Sequence, residues 1–208
     1  MKLSEINLNT HFVQINLSDL LDQLVENEAK DILSSFSCPL NADVEKFLRE
    51  KAIEFSKRGF SKTHLVYWTT QDEKEKELVG YYTIASKFIT IQRNAVNSKE
   101  ARKLREHGLF DEKSGAFTVA APLIAQLGKN YNNGANERIS GRELLGLAIR
   151  QIQQLQYLAG GMVIFLEAAD EERLLSFYRE NGFQQFDTRL TDSSKGEPHE
   201  LIQLLKLL

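Results

Sequence analysis

Two short runs hold residues whose types and spacing suit chemistry. The first is LIAQLGKNYNNGANERISGRELL (123–145), an apolar strand that passes through an Asn- and Gly-bearing turn into a helix N-terminus. Ser140 and Glu143 have the spacing of a capping box, in which the hydroxyl serves a backbone amide one turn in and the carboxylate reaches back. The first-turn amides around Ser140, Gly141 and Arg142 point outward at the positive end of the helix dipole, which favours phosphate. Arg138 and Arg142 add charge-assisted donors nearby. A plain structural cap also explains this run, because one glycine before a helix is common. The second run is LEAADEERLLSFYRENGF (166–183), where Leu174, Phe177 and Tyr178 make a stripe on a short helix that Gly182 stops. Phe177 is expected to pack inward and Tyr178, one position round, to face a cleft.

Other chemistries fail quickly. His11, His64, His107 and His199 are scattered and Cys38 is the one cysteine, so there is no metal site to name. A GxSxG nucleophile elbow and a GxxxxGK[ST] phosphate loop are both absent. The lone cysteine precludes an internal disulfide and fits a reducing compartment.

The elements that must position the two runs follow from periodicity. Residues 17–34 carry Leu17, Leu20, Leu21, Leu24, Val25 and Ile32 on one stripe, predicting a helix. A second helix opens near Asn41 and stops around Arg58-Gly59. THLVYWTT (63–70) and LVGYYTIA (78–85) read as a hairpin across the charged turn QDEKEKE, with FITIQ (88–92) extending or following it. A polar, basic helix covers 97–108, a loop 109–116 and an apolar strand 117–128. A long helix runs from Ser140 to about Leu158, then MVIFLEA (162–168) reads as a strand buried on both faces. The helix 170–181 and two closing strands around a polar loop at 191–198 complete an α/β (α+β) chain with a mixed sheet.

Composition sets outer bounds. Of 208 residues, 26 are Lys or Arg and 29 Asp or Glu, a net charge of −3 that carries no footprint of binding nucleic acid by charge alone. The N-terminal MKLSEINLNTHF has no apolar signal core, and the uncharged stretch 155–166 is well short of the ~20 apolar residues a bilayer needs. A soluble cytoplasmic protein without membrane contact is the expectation. Segment 86–116 holds seven basic residues (Lys87, Arg93, Lys99, Arg102, Lys103, Arg105 and Lys113) against four acids. It reads as an insertion or lid, either a solvated face or a contact surface for an acidic partner.

Taken together, the strand running into a phosphate-type turn, the buried second strand and the helix ending FYRENGF resemble the GCN5-related N-acetyltransferase (GNAT) superfamily over roughly residues 34–190. FSCPLNADVEKFLREKAIEFSKRGFSKTHLV followed by VGYYTIA is similar to the branch that includes acetyltransferase toxins of toxin–antitoxin pairs. The resemblance implies a GNAT acyl-CoA N-acyltransferase fold over 34–208, with 1–33 as an N-terminal helical extension. That extension packs on the domain, forms a homodimer or binds a partner; the sequence does not choose.

The chain departs from the family's Q/R-x-x-G-x-G/A turn. In Asn136-Glu137-Arg138-Ile139-Ser140-Gly141 only Gly141 fits, and Asn132-Asn133-Gly134 looks like a small insertion. A β-branched Ile139 does not readily take φ > 0, so the loop is expected to close differently or to grip the diphosphate less tightly.

What the resemblance implies for mechanism is transfer of acetyl from acetyl-CoA to a primary amine by direct attack. Leu127, Gly128 and Lys129 would contact the pantetheine arm by main-chain hydrogen bonds, with an amide near Leu127 polarising the thioester. Asn136, Arg138, Ile139, Ser140, Gly141 and Arg142 would hold the diphosphate. Glu167 would take the amine's proton, or stand as a solvated strand-end acid. Tyr178 would protonate the departing thiolate. The acceptor is a small-molecule or protein amine. Two alternatives stay open: a toxin-like enzyme acetylating aminoacyl-tRNA, and a non-catalytic CoA-binding module.

Overall fold

The computed structural model describes residues 12–70, 75–191 and 198–208; His11, most of the charged turn and most of the polar loop at 191–198 lie outside these. Strands are β1 (Phe12–Asn16), β2 (Lys62–Thr69), β3 (Lys76–Gln92), β4 (Leu109–Asp111), β5 (Ala116–Lys129), β6 (Val163–Ala169), β7 (Gln184–Leu190) and β8 (Glu200–Leu207). Their hydrogen-bonded order is β1-β2-β3-β5-β6-β8-β7, with β4 pairing β5. The sheet is mixed: β5 runs parallel to β6, while β6–β8, β7–β8, β4–β5 and β1–β2 are antiparallel. Residues 88–92 extend β3 into one 17-residue strand, and Leu109–Asp111 is a strand where a loop was expected.

The chain divides into two compact units. One comprises residues up to Tyr82 with Leu127–Leu144; the other comprises Thr83–Gln126 with Leu145–Leu208. These do not follow the boundary expected at 33/34.

In the first unit, residues 17–34 form two helices, α1 (Leu17–Gln23) and α2 (Glu26–Ser34). A continuous stripe through Leu17, Leu21 and Leu24 would have carried Glu28 and Asp31 inward. An extended break at Leu24–Val25 resets the phase, and Ala29 and Leu33 become fully buried instead. Asn16 caps α1, its side chain accepting from the Ser18 amide at 2.9 Å. α3 (Ala42–Lys46) passes through a π-helical turn (Phe47–Lys51) into α4 (Ala52–Lys57). The core joins Leu17, Leu33, Leu48, Leu65 and Tyr81, with Phe36 edge-on to Tyr81 at 5.0 Å. Residues 17–34 thus contribute to this core, in line with the first of the three roles left open for them.

In the second unit, α5 (Ser98–His107) opens on an Asn97–Glu100 capping box and buries Ala101 and Leu104. Those two residues, with Ile89, Ile91 and Val96, share a core with Phe117, Phe165 and Leu205. Segment 86–116 is thus anchored to this core through Ile89, Ile91, Val96, Ala101 and Leu104, while most of its other residues are exposed. α6 (Gly141–Ala159) begins in the first unit and continues in the second, where α7 (Glu172–Glu180) follows β6.

Candidate functional site

The turn after β5 belongs to the first unit and is built on Asn130, whose side chain is 4% exposed. Its Oδ1 accepts from the Ser37 and Asn132 amides at 2.9 and 3.1 Å, and its Nδ2 donates to the Leu78 carbonyl at 2.8 Å. Its own amide donates to the Val79 carbonyl at 2.8 Å. Just before it, Gly128 is pressed by α3: a Cβ there would lie 2.4 Å from Val44 Cγ1, so no side chain fits without displacement.

A 3₁₀ stretch, Asn132–Arg138, follows. The chain reverses at Asn133 (φ 50°) and Gly134 (φ 76°), and Ile139 is extended at φ −139°, ψ 133°. Ile139 is 2% exposed. The suspected insertion thus supplies the left-handed residues that a glycine at 139 would otherwise offer, and the isoleucine joins the core. Lys129 Nζ closes the loop from within, donating to the Asn136 and Ile139 carbonyls at 2.8 and 3.1 Å.

The capping box expected at α6 is present. The Glu143 amide donates to Ser140 Oγ at 3.1 Å, and Glu143 Oε2 accepts from the Ser140 amide at 2.8 Å and hydroxyl at 2.7 Å. Those bonds, with the charge of Lys129, hold the Glu143 carboxyl below its ordinary pKa. The box uses the amides of Ser140 and Glu143, leaving those of Gly141 and Arg142 as first-turn donors without an intrahelical acceptor.

Arg138 is engaged elsewhere. Its guanidinium pairs with Glu77 at 2.6 Å and lies 3.9 Å above the Trp68 ring. Trp68, Glu77, Asn133, Gly134, Glu137 and Arg138 line a groove of about 450 Å³. Neither Trp68 nor Glu77 was singled out from the sequence, since both are brought to the turn only by the pairing of distant segments.

β5 meets β6 over a short register, Leu123↔Phe165 and Ile124↔Leu166. Beyond it β5 continues to Lys129, while β6 continues to Ala169 paired with β8 on its other edge. Within the second unit Ala125 and Gln126 therefore have no partner from β6.

In the second unit Glu167 is not a solvated acid. Its side chain is 16% exposed. Arg189 Nε and Nη2 donate to its two oxygens at 2.8 and 2.6 Å, and Gln203 Nε2 donates at 2.8 Å. Burial alone would raise its pKa; the bonds from Arg189 and Gln203 outweigh that and hold it below the usual value. A carboxylate held this way is a poor proton acceptor, so the base expected at this position is replaced by a tie joining β6, β7 and β8. Its stabilising contribution is present above the unfolded pKa of about 4.3 and is lost as pH falls through the folded one. Glu167→Gln is expected to cost about 1–2 kcal/mol at neutral pH, a gap that closes as pH is lowered below the ordinary carboxylate range and the native Glu167 becomes protonated. Thermal unfolding at neutral and at acid pH checks this; a pH-independent gap would assign the loss to shape alone.

The helix α7 turns its residues differently from the expectation. Leu175 and Tyr178 are its buried residues, and Phe177 is half-buried. The Tyr178 ring lies 5.2 Å from Phe177 and 5.9 Å from Phe183, both edge-on. Only 9% of it is exposed, and burial pushes its phenol up to about 12. Among the described residues its hydroxyl has no hydrogen-bond partner.

No protein-family model matches the chain, and no curated protein matches it. Solved structures do. The chain is similar to AtaT complexed with acetyl-methionyl-tRNAfMet, with a TM-score of 0.60 and 16% identity over 92% of this chain and 93% of that one. It is similar to a tyrosine-to-phenylalanine mutant of KacT (TM-score 0.58, 14% identity, 92% and 93% covered). It is also similar to AtaTR bound with AcCoA (TM-score 0.54, 15% identity, 94% and 92% covered). At such identities the likeness is one of fold: the chain shares the fold of these structures. No helix among the described residues is long and apolar enough to cross a membrane.

Proposed function

We propose that this chain is an acetyl-CoA-dependent N-acetyltransferase, and that its acceptor is the α-amine of an aminoacyl-tRNA. Two observations carry the enzymatic reading: in the second unit the edge of β5 just beyond Ile124 is left without a β6 partner, and in the first unit the turn after β5 leads through residues 130–140 into a capped helix N-terminus. An unpaired strand edge offers main-chain groups to an amide-bearing arm, as in strand addition. The amides of Gly141 and Arg142 suit a diphosphate. Acetyl-CoA would supply the activated acyl group, and Tyr178 would donate a hydrogen bond to the departing sulfur.

The raised Tyr178 pKa bears on that role. Full proton transfer from a phenol near 12 to a thiolate of pKa ~8.5 is uphill, so the phenol stabilises the leaving sulfur as a hydrogen-bond donor and stays protonated throughout the neutral range.

Two observations favour the acceptor. AtaT, which shares the fold, is found with acetyl-methionyl-tRNAfMet. The engagement of Glu167 with Arg189 and Gln203 also leaves the amine without that carboxylate as a base. An α-amine of pKa ~8 is already about one-tenth neutral at pH 7, whereas a lysine amine near 10.4 is almost wholly protonated. Reaction without a strong protein base therefore suits the first.

Calorimetric titration with acetyl-CoA is the first test, with micromolar binding expected. Absence of binding at millimolar acetyl-CoA would overturn the enzymatic reading. Thiol release with methionyl-tRNA and with a panel of free amines then tests the acceptor; equal rates would remove the tRNA reading.

A further inference from the structure

In the second unit the last two turns of α6 face solvent with apolar side chains. Leu155, Tyr157 and Leu158 are 40%, 90% and 82% exposed. Three of the nine large apolar side chains exposed among the described residues thus fall within four positions, whereas scattered single exposures are ordinary. No charged residue occurs from Gln151 to Leu166. Solvated helix faces are ordinarily charged, and α5 in the same unit turns Lys99, Arg102 and Glu106 outward. Arg150, Gln153, Gln154, Tyr157 and Leu158 recur at three- and four-residue steps, hence on one face, and line an open recess of about 530 Å³.

The end of the same helix carries an unanswered charge. Gly160 (φ 82°) stops α6, its amide donating to the Gln156 carbonyl at 2.8 Å. The carbonyls of Tyr157, Leu158 and Ala159 have no hydrogen-bond donor among the described residues. The last turn holds no basic residue, so no cation of this helix offsets the negative end of its dipole.

We propose that this face docks a second copy of the chain, antiparallel and two-fold about Gln153 and Gln154. At about 1.5 Å of rise per residue, that pairing sets position 150 level with the second copy's 157, and position 146 level with its 161. Arg150 leans toward its own N-terminus, as helical side chains do; its Nη1 lies 3.6 Å from where a Cβ on Gly146 would stand. The guanidinium therefore arrives at the open carbonyls that end the second copy's helix. The exchange is reciprocal, as a two-fold contact requires. Glutamine amides both donate and accept, so Gln153 and Gln154 pair with their own copies. A stripe bearing several like charges would repel itself; this one carries a single charge, aimed at a complementary pole. Nothing in the contact depends on acetyl-CoA.

A stripe about 18 Å long covers less than the ~800 Å² that each partner buries in a standard interface. The dimer is therefore expected at tens of micromolar protein, and sedimentation equilibrium of the full chain between about 5 and 300 µM should show a monomer–dimer equilibrium. Tyr157→Glu with Leu158→Glu should weaken it about tenfold or more and leave thermal unfolding unchanged, because both side chains are exposed. Arg150→Glu should weaken it about threefold or more by setting an anion against the carbonyls. Within the dimer a short bismaleimide should join Gln154→Cys to itself and not Glu180→Cys, which stands on α7; the native Cys38 is buried. A wild type that stays monomeric throughout would overturn the proposal, and its capture by neutral lipid vesicles would assign the face to a bilayer surface instead. A dimer indifferent to the Tyr157 and Leu158 substitutions would overturn it by placing the interface elsewhere. One weakened by those two but not by Arg150→Glu would overturn the antiparallel arrangement.

Discussion

Replacing Tyr178 by phenylalanine is expected to lower kcat by about 10²-fold or more while acetyl-CoA binding stays within a few-fold. The substitution removes one oxygen from a ring whose packing against Phe177 and Phe183 is otherwise retained. Because the hydroxyl has no protein partner among the described residues, its removal strands no buried donor or acceptor, and stability should hold. The loss would then belong to the transition state, where negative charge gathers on sulfur. Thiol release at saturating cosubstrate and acceptor, with calorimetry on the same variant, separates the two effects. Unchanged turnover would remove Tyr178 from the mechanism.

The second large effect is expected on α5. Lys99, Arg102 and Lys103 lie three and four residues apart, hence on one side of the helix, opposite the buried Ala101 and Leu104. Arg102 approaches Glu106 only at 3.6 Å and its side chain is 85% exposed, whereas Arg105 lies over the Phe110 ring at 4.1 Å. Reversing Lys99, Arg102 and Lys103 to glutamate is expected to cut acetylation of an aminoacyl-tRNA about tenfold or more at ~0.1 M salt, and to flatten its salt dependence by roughly two to three in the log–log slope. Acetylation of a small amine should not change. If both acceptors suffer alike, the helix supports the fold and does not meet RNA.

Much of this fold is legible in the sequence, because periodicity is local. The strand into the turn, the long helix and the Ser140–Glu143 cap all come from spacings within a few residues. The break in residues 17–34 was less visible, although the phase of Glu28 and Asp31 carries it. β1 was missed because Phe12–Asn16 is partly exposed and lacks an alternating pattern. The site divides the same way. The misfit of Ile139 could be read directly, but its remedy at Asn133 and Gly134 could not, since a buried isoleucine needs a core to enter. Glu167 looked free because Arg189 stands 22 residues away and Gln203 stands 36. On α7 Tyr178 is the more buried of the two rings, with 9% of it exposed, and Phe177, expected inward, is half-buried.

Asn130 has a consequence for the order of folding. It joins its loop to Ser37, 93 residues earlier, and to Leu78, 52 residues earlier, while Asn132 reaches Ser35 across 97 residues. A contact of such separation forms only after long loops have closed, which is entropically slow. The turn therefore acquires its shape after the segment following α2 and the start of β3 have docked. A nascent chain would gain the loop between β5 and α6 late, as one of the last parts of the first unit to be completed.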